Sequence, residues 1–472
     1  MKVLFVNKFL DKYTIYREPL GIMSLAAAIH PRHESFIADP SRDNIFTKIE
    51  KIRPDVIAYS LRSGFHQQYI DLNRKLKKKY EFFSVFGGPH PTFFPSMIEE
   101  EGVDAICQGE GEEAFMEYLD AAQNGKDTTI INNFWVKKDG KIHKNPCRPL
   151  RQDLDGLALP ARWIFNNYRD IREAKIHSFM AGRGCPFNCI YCFNAEFKKM
   201  FAGQRFVRTR SVQRVIEEVL EVQRNTPFEI ARFEDDTFNT DKEWLREFSQ
   251  EFRKTGLKLI CTGIWAGFVD EEVVQLLKDA NCISVSFGIE AGSGRVRRDI
   301  LERKMTDEQI ITTARLFRKY GIFYVTENIM AIPDTTLEDD LKTLEINIKC
   351  KTRYPVVSIM QPYPGTKIYQ LAMQHKLLEE NIVENLPISF YDKTIFNIDH
   401  KRERENLQKL FAIVVRFPSL FKYIRSLIAL PLGPLYSFFY NTFKGYVGAF
   451  EYSYARRSLR EYICLLRRYV TS

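Results

Sequence analysis

The chain has 472 residues, of which 45% are hydrophobic, with 37 Phe and 22 Tyr, and its formal net charge is +9. This length and apolar content support two or three domains with cores of their own. No stretch is long and apolar enough to span a bilayer, and the scattered cysteines and strand-like first residues argue against export, so we expect a cytoplasmic protein.

Residues 1 to about 150 alternate short apolar runs with patterns of helical period. Strands are predicted at Lys2–Asn7, Ser35–Ala38, Asp55–Ser60, Phe83–Phe86 and Ala105–Gln108. Helices are predicted at Leu20–Ile29, Ile45–Ile52, His66–Lys79 and Glu113–Gln123. Strands that alternate with helices indicate a parallel sheet with right-handed crossovers. Ligands bind beyond the carboxyl ends of such strands.

The loops at those carboxyl ends are rich in glycine and polar residues. They are Glu18–Gly21, Ser60–Gly64, Gly87–Thr92 and Gln108–Glu112. Glycine lets a flat ligand approach the backbone closely. One glycine-rich loop is weak evidence, and a doubly wound domain that binds a nucleotide or no ligand is the alternative. Four such loops in order predict a binding site.

A hairpin and a connecting segment follow this first domain. The hairpin strands are predicted at Asn132–Lys138 and Lys141–Asn145, with the turn at Asp139-Gly140. Residues 146–175 are predicted to be a linker into a second domain.

Three cysteines stand at C-x3-C-x2-C spacing after a predicted strand at Ile176–Ala181. Cys185, Cys189 and Cys192 can hold three irons of a [4Fe–4S] cluster and leave the fourth iron open to a substrate or cofactor. A zinc site, or three unrelated buried thiols, is the alternative. Zinc usually takes a fourth Cys or His nearby, and His177 is the closest candidate.

Strand–helix units repeat through residues 176–375. Further strands are predicted at Ile230–Glu234, Leu257–Thr262, Ser284–Ile289, Tyr324–Ala331 and Val356–Gln361. The helices between them are predicted at Val212–Arg224, Lys242–Thr255, Glu271–Asp279, Thr306–Tyr320 and Leu337–Lys349. Six units are too few for an eight-fold barrel, and their active-site groups should lie at the carboxyl ends of the strands.

Motifs with functional side chains end three of these strands. They are Phe233–Phe238 after the second strand, Gly288–Ser293 after the fourth and Gln361–Thr366 after the sixth. Each motif alone could be a structural turn. Their order behind the cysteine motif is hard to obtain by chance.

This ordered set resembles the cobalamin (B12)-dependent radical S-adenosylmethionine (SAM) enzymes. The resemblance rests on the cysteine spacing, the three strand-end motifs and the Gly-Gly-Pro-His-Pro-Thr and Gly-Glu-Gly-Glu loops. It implies an α/β fold in three parts. A doubly wound, Rossmann-like, parallel-sheet cobalamin domain would occupy residues 1–145, and an open (β/α)6 partial barrel would occupy residues 176–375. A mainly helical C-terminal cap would follow at residues 376–472.

The resemblance also implies which residues bind each cofactor. The [4Fe–4S] cluster is expected on Cys185, Cys189 and Cys192. SAM is expected to contact Tyr191, Phe193, Asp235 or Asp236, Glu290 and Ser293. Cobalamin is expected to contact Glu18, Pro19, Gly21, Ser60, Arg62, Ser63, Gly87, Gly88, His90, Thr92, Gly109 and Glu110. No D-x-H-x-x-G motif is present, so we expect cobalamin without a protein His on cobalt and His90 as a polar contact to the cofactor's tail.

Two positions depart from the family pattern. Ile329–Asp334 stands where relatives often have a Gly-x-Pro-Gly turn, and Trp265 stands near the end of the third strand, where they commonly have Arg. Trp265 and Tyr363 are therefore candidates for the substrate region, and no catalytic residue can be named.

The function implied by the resemblance is methylation of an unactivated carbon. The alternatives are a radical rearrangement, cyclisation or coupling without methyl transfer, and a cobalamin- or SAM-binding sensor without turnover. An external electron donor of the flavodoxin or ferredoxin type is expected. The substrate would be a small molecule, a peptide or a lipid-like molecule.

The net positive charge lies entirely in the last part of the chain. Residues 401–472 contain 13 Lys or Arg against 4 Asp or Glu. A helix is predicted at Lys401–Val415, an uncharged aromatic run at Ser426–Phe443 and a basic helix at Arg456–Val470. These features predict a cap over the barrel mouth or a peripheral contact with the inner face of the membrane. The uncharged run argues against nucleic acid, because a phosphate-binding groove needs charge throughout.

Overall fold

A computed structural model describes residues 1–9, 18–379, 382, 386–387, 389–391 and 393–448. The chain divides into two units. The first comprises Met1–Ala174 with Val383–Ile388, and the second comprises Lys175–Ile382 with Ser389–Ser472.

The first unit is built on a seven-stranded sheet in the order β2-β1-β3-β4-β5-β6-β7. Its strands are β1 (Lys2–Val6), β2 (Glu34–Ala38), β3 (Val56–Ser60), β4 (Phe83–Gly87), β5 (Ala105–Cys107), β6 (Phe134–Lys138) and β7 (Lys141–Lys144). The first five are parallel, and β6 and β7 add an antiparallel edge. The order reverses between β1 and β3, which is where doubly wound folds place their ligands.

Helices cover both faces of this sheet. They are α1 (Leu20–Ile29), α2 (Ile45–Ile52), α3 (His66–Lys77), α4 (Pro89–Phe93) and α5 (Glu112–Gln123). Alternate residues of β1 belong to different cores, with Val3 and Phe5 in one and Leu4 and Val6 in the other. Two-sided burial explains why β1 is an unbroken apolar run.

The predicted hairpin and linker both belong to the first unit. Asp139 and Gly140 have φ of 50° and 72°, the backbone of a tight hairpin turn, and β6 pairs with β5 to extend the main sheet. Beyond the hairpin, the predicted linker packs on the core. Phe165 and Tyr168 lie edge-on to Phe9, each with ring centroids 5.4 Å away. The range 146–174, which includes α6 (Arg169–Arg172), is therefore an integral layer of this unit.

The second unit contains six parallel strands whose spatial order follows the chain. They are β8 (Ile176–Phe179), β11 (Ile230–Phe233), β12 (Lys258–Ile264), β13 (Cys282–Glu290), β14 (Phe323–Met330) and β15 (Tyr354–Ile359). A short antiparallel pair, β9 (Gly182–Arg183) with β10 (Arg208–Thr209), lies beside them. The predicted open (β/α)6 arrangement is confirmed.

Seven helices of the second unit accompany these strands, and six of them begin at a capping side chain. They are α7 (Phe193–Met200), α8 (Val212–Asn225), α9 (Lys242–Arg253), α10 (Glu271–Asp279), α11 (Asp307–Lys319), α12 (Leu337–Cys350) and α13 (Lys367–Gln374). Helices α8 to α13 are each capped by a side-chain oxygen, from Ser211, Asp241, Asp270, Thr306, Thr336 and Thr366. Such caps satisfy backbone N–H groups that the first turn leaves without partners.

The C-terminal helices lie against the outside of the partial barrel. They are α14 (Lys401–Arg416), α15 (Ile424–Ala429) and α16 (Gly433–Tyr446). Leu407 and Phe411 of α14 share a core with Val357 of β15, and Phe443 of α16 lies 6.4 Å from Tyr354 at the amino end of that strand. Helices α14 and α16 thus pack beside edge strand β15, and the predicted cap over the barrel mouth stays a prediction.

The predicted basic helix at Arg456–Val470 lies outside the described residues. Within the described ranges, no helix has both the length and the apolar content to cross a membrane.

Candidate active site

The three predicted cluster ligands lie in the loop between β9 and α7. Gly184 opens this loop with φ of 88°, and a Cβ there would collide with the carbonyl oxygen of Phe206. Only glycine fits this position. Cys192 closes the loop as the residue that precedes the first turn of α7. A tight turn at one end and a helix start at the other therefore fix the loop that carries the thiols.

Cys189 is buried, whereas Cys185 and Cys192 are partly exposed. Burial, with smaller contributions from the neighbouring Asp236, Cys189 and Cys185, raises the pKa of the Cys192 thiol to about 12, and a hydrogen bond from the Asn194 N–H opposes the rise. Within the described part of the chain, no three His, Cys, Asp or Glu side chains converge at metal-ligand distances. Each thiolate of an iron–sulfur cluster binds a different iron, so its ligands need not converge on one point.

The alternative zinc site finds no support from His177. Its imidazole lies edge-on to Phe228 at 5.1 Å, and Phe179, two residues along β8, belongs to the core under the helices. Alternate residues of a strand point to the same face. His177 therefore belongs to the helix-covered side of β8.

Asp235 and Asp236 hold the backbone that leads into the cysteine loop. The Asp235 carboxylate accepts hydrogen bonds from the N–H groups of Ala181 at 3.0 Å and Gly182 at 2.6 Å. Burial raises its pKa to about 7, and these hydrogen bonds oppose the rise. Burial also raises the pKa of Asp236, opposed by hydrogen bonds from the Asn194 side chain and the Gly184 N–H. The contact of either carboxylate with the SAM ammonium stays a prediction.

Glu290 ends β13 in a left-handed backbone conformation, with φ of 64°. The register between β13 and β14 shifts at this point, as it does at a β-bulge. Burial raises the pKa of Glu290 to about 7, and the guanidinium of Arg303 opposes the rise. Its left-handed backbone is a strained conformation of the kind that clusters at functional sites.

Arg303 joins the predicted SAM residues to the cysteine loop, and the sequence analysis missed it. Its Nη1 lies 3.7 Å from both Glu290 Oε1 and Cys189 Sγ and 3.5 Å from Tyr191 Oη. Its Nη2 donates to the carbonyl oxygen of Gly288 at 2.8 Å. In sequence it is one of several cations after β13, and Arg297 among them is buried too, so only the contacts made in the folded chain set Arg303 apart.

Trp265 supports the same cluster of side chains. Its ring stacks on Phe187 of the cysteine loop, with centroids 3.4 Å apart, and the Arg303 guanidinium lies 4.2 Å from its centroid. It is buried between them. Trp265 therefore packs the cysteine loop against Arg303, and its predicted contact with substrate stays a prediction.

The remaining predicted residues of this unit lie in different surroundings. Phe193 and Tyr363 are exposed, and Ser293 is buried and hydrogen-bonds to Asp339. Gln361, at the start of the Gln-Pro-Tyr-Pro-Gly-Thr motif, has both polar atoms of its amide buried without a partner. A buried amide without partners is costly. Gln361 is therefore a ligand candidate that the motif itself could have suggested.

In the first unit, three of the four predicted cobalamin loops are bonded to one another. Gly88 has φ of 92°, and a Cβ there would come within 2.9 Å of the Leu61 backbone. Ser63 Oγ lies 3.0 Å from His90 Nδ1. Thr92 Oγ1 donates to the Gly88 carbonyl at 2.8 Å and accepts from the Gly109 N–H at 3.1 Å. Ser63, Gly88, His90, Thr92 and Gly109 thus form one framework at the carboxyl ends of β3, β4 and β5.

His90 is 3% exposed and stacks on His66, with ring centroids 4.0 Å apart. Burial lowers its pKa to about 3, and the neighbouring His66 contributes. A neutral, buried imidazole that is hydrogen-bonded to Ser63 belongs to the loop framework. That cobalt takes no protein His stays a prediction.

The other cobalamin candidates are placed as follows. Glu18 is buried in an ion pair with Arg162 at 2.6 Å, and a Cβ on Gly21 would meet no atom within 4 Å. The Arg62 guanidinium lies 5.3 Å from the Phe65 ring centroid, and the Glu110 carbonyl accepts a hydrogen bond from the Asn133 side chain at 3.0 Å.

The last three cobalamin candidates lie at the ends of elements. Pro19 precedes α1, Ser60 ends β3 and Gly87 ends β4.

Comparisons with known proteins agree with both parts of this arrangement. Residues 180–346 match the Radical SAM superfamily, and residues 10–119 match the B12 binding domain. An uncharacterized methyltransferase of Pyrococcus horikoshii is 30% identical over 372 residues, which cover 76% of this chain and 79% of that protein.

Two solved structures share the fold. The radical SAM methyltransferase TsrM of Kitasatospora setae has a TM-score of 0.64 at 19% identity, covering 79% of this chain and 76% of that one. The cobalamin-dependent SAM radical enzyme OxsB has a TM-score of 0.63 at 14% identity, covering 100% of this chain and 75% of that one. A B12 domain is followed by a radical SAM domain, and the similarity to the Pyrococcus horikoshii protein covers most of both chains. The chain therefore belongs to the cobalamin-dependent radical SAM enzymes, whose cofactors are a [4Fe–4S] cluster, SAM and cobalamin.

Proposed function

We propose that this protein is a methyltransferase that transfers a methyl group to an unactivated carbon of its substrate. The observation that carries the proposal is the joining of Cys189, Tyr191 and Glu290 through Arg303, in a chain that also has the framework of cobalamin loops. Methyltransferase relatives support it. When bound, the three cofactors supply a carbon-centred radical and a methyl group.

The cysteine loop would hold the cluster and leave one iron for SAM. Cys185, Cys189 and Cys192 supply the three thiolates. The Arg303 cation beside Cys189 stabilises negative charge on that thiolate. Because Asp235 binds the N–H groups of Ala181 and Gly182, the segment before the loop is held in place without a ligand. Such support fixes the geometry that catalysis requires.

Glu290 would accept hydrogen bonds from the SAM ribose hydroxyls. Its carboxylate is buried, and Arg303 favours the charged form that accepts two such bonds. Tyr191, which contacts the same guanidinium, would lie near the adenine. The two residues then orient one ligand from opposite ends of a single side-chain network.

The loop framework of the first unit would hold cobalamin through backbone and small polar side chains. Gly88 leaves the backbone open where a Cβ would be obstructed, and Thr92 fixes Gly109 next to it. His90 would hold the loop through its contacts with Ser63 and His66, and no protein imidazole would bind cobalt. Residues 1–145 and 176–375 are the proposed cobalamin and radical SAM domains.

The reaction can be tested by product analysis with the reconstituted, reduced holoenzyme. We expect 5′-deoxyadenosine, S-adenosylhomocysteine and a substrate that gains a methyl group, followed with SAM labelled in its methyl carbon. A substrate product that carries this label would demonstrate transfer of the methyl group. A changed substrate without label, together with 5′-deoxyadenosine, would instead identify a rearrangement, cyclisation or coupling.

The partners of the reaction are proposed from its chemistry. Radical formation needs one electron, which a flavodoxin- or ferredoxin-type donor would supply. The substrate would be a small molecule, a peptide or a lipid-like molecule. A cytoplasmic location with peripheral contact at the inner face of the membrane completes the proposal.

A further inference from the structure

The C-terminal helices have a one-sided charge composition. Residues 406–450 contain no Asp or Glu and five cations, Lys409, Arg416, Lys422, Arg425 and Lys444. Arg425 is paired with Glu338 of α12 at 2.7 Å, so part of this charge is balanced. Arg416 and Lys422 are exposed near the turn between α14 and α15. The surface of this segment is therefore basic, with no carboxylate of its own.

Helix α16 exposes its apolar side chains. Leu435, Phe438, Phe439 and Tyr446 are exposed at helical spacing, while Tyr436 on another side packs into the core with α14. A helix on the surface of a globular protein normally exposes polar residues on this side. The exposed side of α16 is therefore apolar, although contact with water would favour polar side chains there.

Exposed apolar side chains also occur along the chain just before α16. We call the whole set the aromatic face; it comprises Phe417, Tyr423, Leu430, Leu432, Leu435, Phe438, Phe439 and Tyr446. Each member is between 38% and 55% exposed, and together they are eight of the 15 large apolar side chains exposed in the described residues. Concentrated exposure of this kind marks an interaction surface.

The charges decide among the classes of partner. A second copy of the chain would set residues 406–450, which contain five cations and no Asp or Glu, against the same residues, and like charges would oppose each other across a two-fold axis. A nucleic acid would need cations along its path, but residues 426–443 have none. An anionic lipid surface matches both features, because aromatic and Leu side chains enter the acyl boundary while Lys and Arg contact the headgroups.

We propose that the aromatic face is a membrane-binding surface that lies in the plane of an anionic lipid bilayer. Helix α16 has 14 residues, about 21 Å at the rise of an α-helix, which is too short to span the hydrocarbon core. It would enter the interface along its side, with Arg416 and Lys422 at the level of the headgroups. This proposal rests on the proposed function only for the location of the protein at the membrane. Vesicle binding can be measured without catalytic turnover, so the two proposals can fail separately.

The test is co-sedimentation of the full chain with vesicles of phosphatidylcholine alone and of phosphatidylcholine mixed with phosphatidylglycerol. We expect binding to the mixed vesicles, little binding to phosphatidylcholine alone, and release as salt rises. Replacing both Phe438 and Phe439 by Ser should lower the partition coefficient about tenfold or more. A variant with Arg416→Gln and Lys422→Gln should lose most of its preference for anionic vesicles.

The matched control is Ile130→Ser with Leu220→Ser, which removes two exposed apolar side chains outside the aromatic face. It should bind vesicles like the unchanged protein, and far-UV circular dichroism should show that every variant is folded. Failure of the unchanged protein to bind mixed vesicles at low salt would overturn the proposal. So would a dimer in solution that Phe438→Ser and Phe439→Ser convert to a monomer, because a second copy would then cover the face. Formation of 5′-deoxyadenosine by the same variants measures the proposed radical reaction independently of vesicle binding.

Discussion

Arg303 contacts more of the candidate SAM site than any residue that the sequence motifs indicated. Its cation faces two groups that become anions, the Cys189 thiol and the Glu290 carboxyl, and the ring of Trp265 covers it. A buried cation with two anionic neighbours is stable only while those partners remain. The site residues are thus coupled, and a change at Arg303 should affect each of them.

The first prediction concerns Arg303→Gln, which removes the cation and leaves Glu290 buried. The affinity for SAM should fall about tenfold or more, and the free energy of unfolding by about 3–5 kcal/mol, as expected when one partner of a buried ion pair is lost. Calorimetric titration and thermal unfolding measure the two effects. Arg298→Gln is the control, since Arg298 forms a surface pair with its neighbour Asp299 and, among the described residues, no other ion pair. Equal SAM affinity in both variants would refute the role given to Arg303.

The second prediction follows from the buried imidazole of His90. Its pKa is about 3 in the folded state, against an ordinary value of 6.5, so at intermediate pH the unfolded chain binds a proton that the folded chain does not. The free energy of unfolding therefore has its full value above pH 6.5. It falls as the pH drops from 6.5 towards 3, by up to about 1.4 kcal/mol per pH unit, because protonation of His90 then favours the unfolded chain.

His90→Gln removes this titration and keeps a polar partner for Ser63. Between pH 6.5 and 5, the free energy of unfolding of the variant should fall less steeply than that of the unchanged protein. Urea unfolding at a series of pH values measures both slopes. Parallel slopes would mean that His90 titrates normally in the folded protein.

At the scale of elements, a buried ion pair joins α14 to α12, and its carboxylate also binds the backbone just after β14. Arg404 Nε donates to Asp340 Oδ2 at 2.6 Å, and Arg404 also donates to the hydroxyl and carbonyl oxygens of Thr335. Asp340 in turn accepts from the N–H of Ala331, whose φ is 57°. Ala331 lies in the segment that departs from the Gly-x-Pro-Gly pattern. The C-terminal helix therefore helps to hold a strained turn at a strand end.

The third prediction is that Arg404→Ala lowers the free energy of unfolding by about 3–5 kcal/mol, because Asp340 is left buried without its cation. Arg402→Ala, which removes an exposed Arg of the same helix, should change it by less than about 0.5 kcal/mol. Thermal unfolding compares the two. Combining Arg404→Met with Asp340→Leu should restore much of the lost stability, and no recovery would indicate that the pair is needed for more than charge balance.

At the scale of the whole molecule, the candidate cluster ligands and the cobalamin loops lie in different units. The cysteine loop is in the second unit, and the framework of Gly88, His90 and Thr92 is in the first. Each unit has its own hydrophobic core. Loss of the cluster should therefore leave the cobalamin loops folded.

The fourth prediction is that replacing Cys185, Cys189 and Cys192 together by Ala removes cluster iron and SAM cleavage but leaves cobalamin binding. Iron analysis, 5′-deoxyadenosine formation and the visible spectrum of bound cobalamin measure the three properties. The complementary variant Gly88→Ala should lose cobalamin and keep its iron, because a Cβ there obstructs the Leu61 backbone. A triple variant that still makes 5′-deoxyadenosine would refute the cluster assignment.

Local signals in the sequence determined the strands and helices, their alternation along the chain and the cysteine spacing. The predicted ranges at Leu20–Ile29, Ile45–Ile52 and Glu271–Asp279 coincide with α1, α2 and α10. Apolar periodicity, capping residues and turn residues act over a few positions, so they can be recognised without knowing the fold. The cysteine spacing is local in the same sense.

The tertiary structure alone decided which partners the functional side chains have. Asp235 binds backbone N–H groups more than 50 residues away, and Arg303 reaches Cys189 across 114 positions. The exposed aromatic side of α16 and the packing of α14 outside β15 depend equally on distant residues. Burial and charge pairing are properties of the assembled units, because a side chain's pKa and its hydrogen bonds depend on groups that the sequence separates.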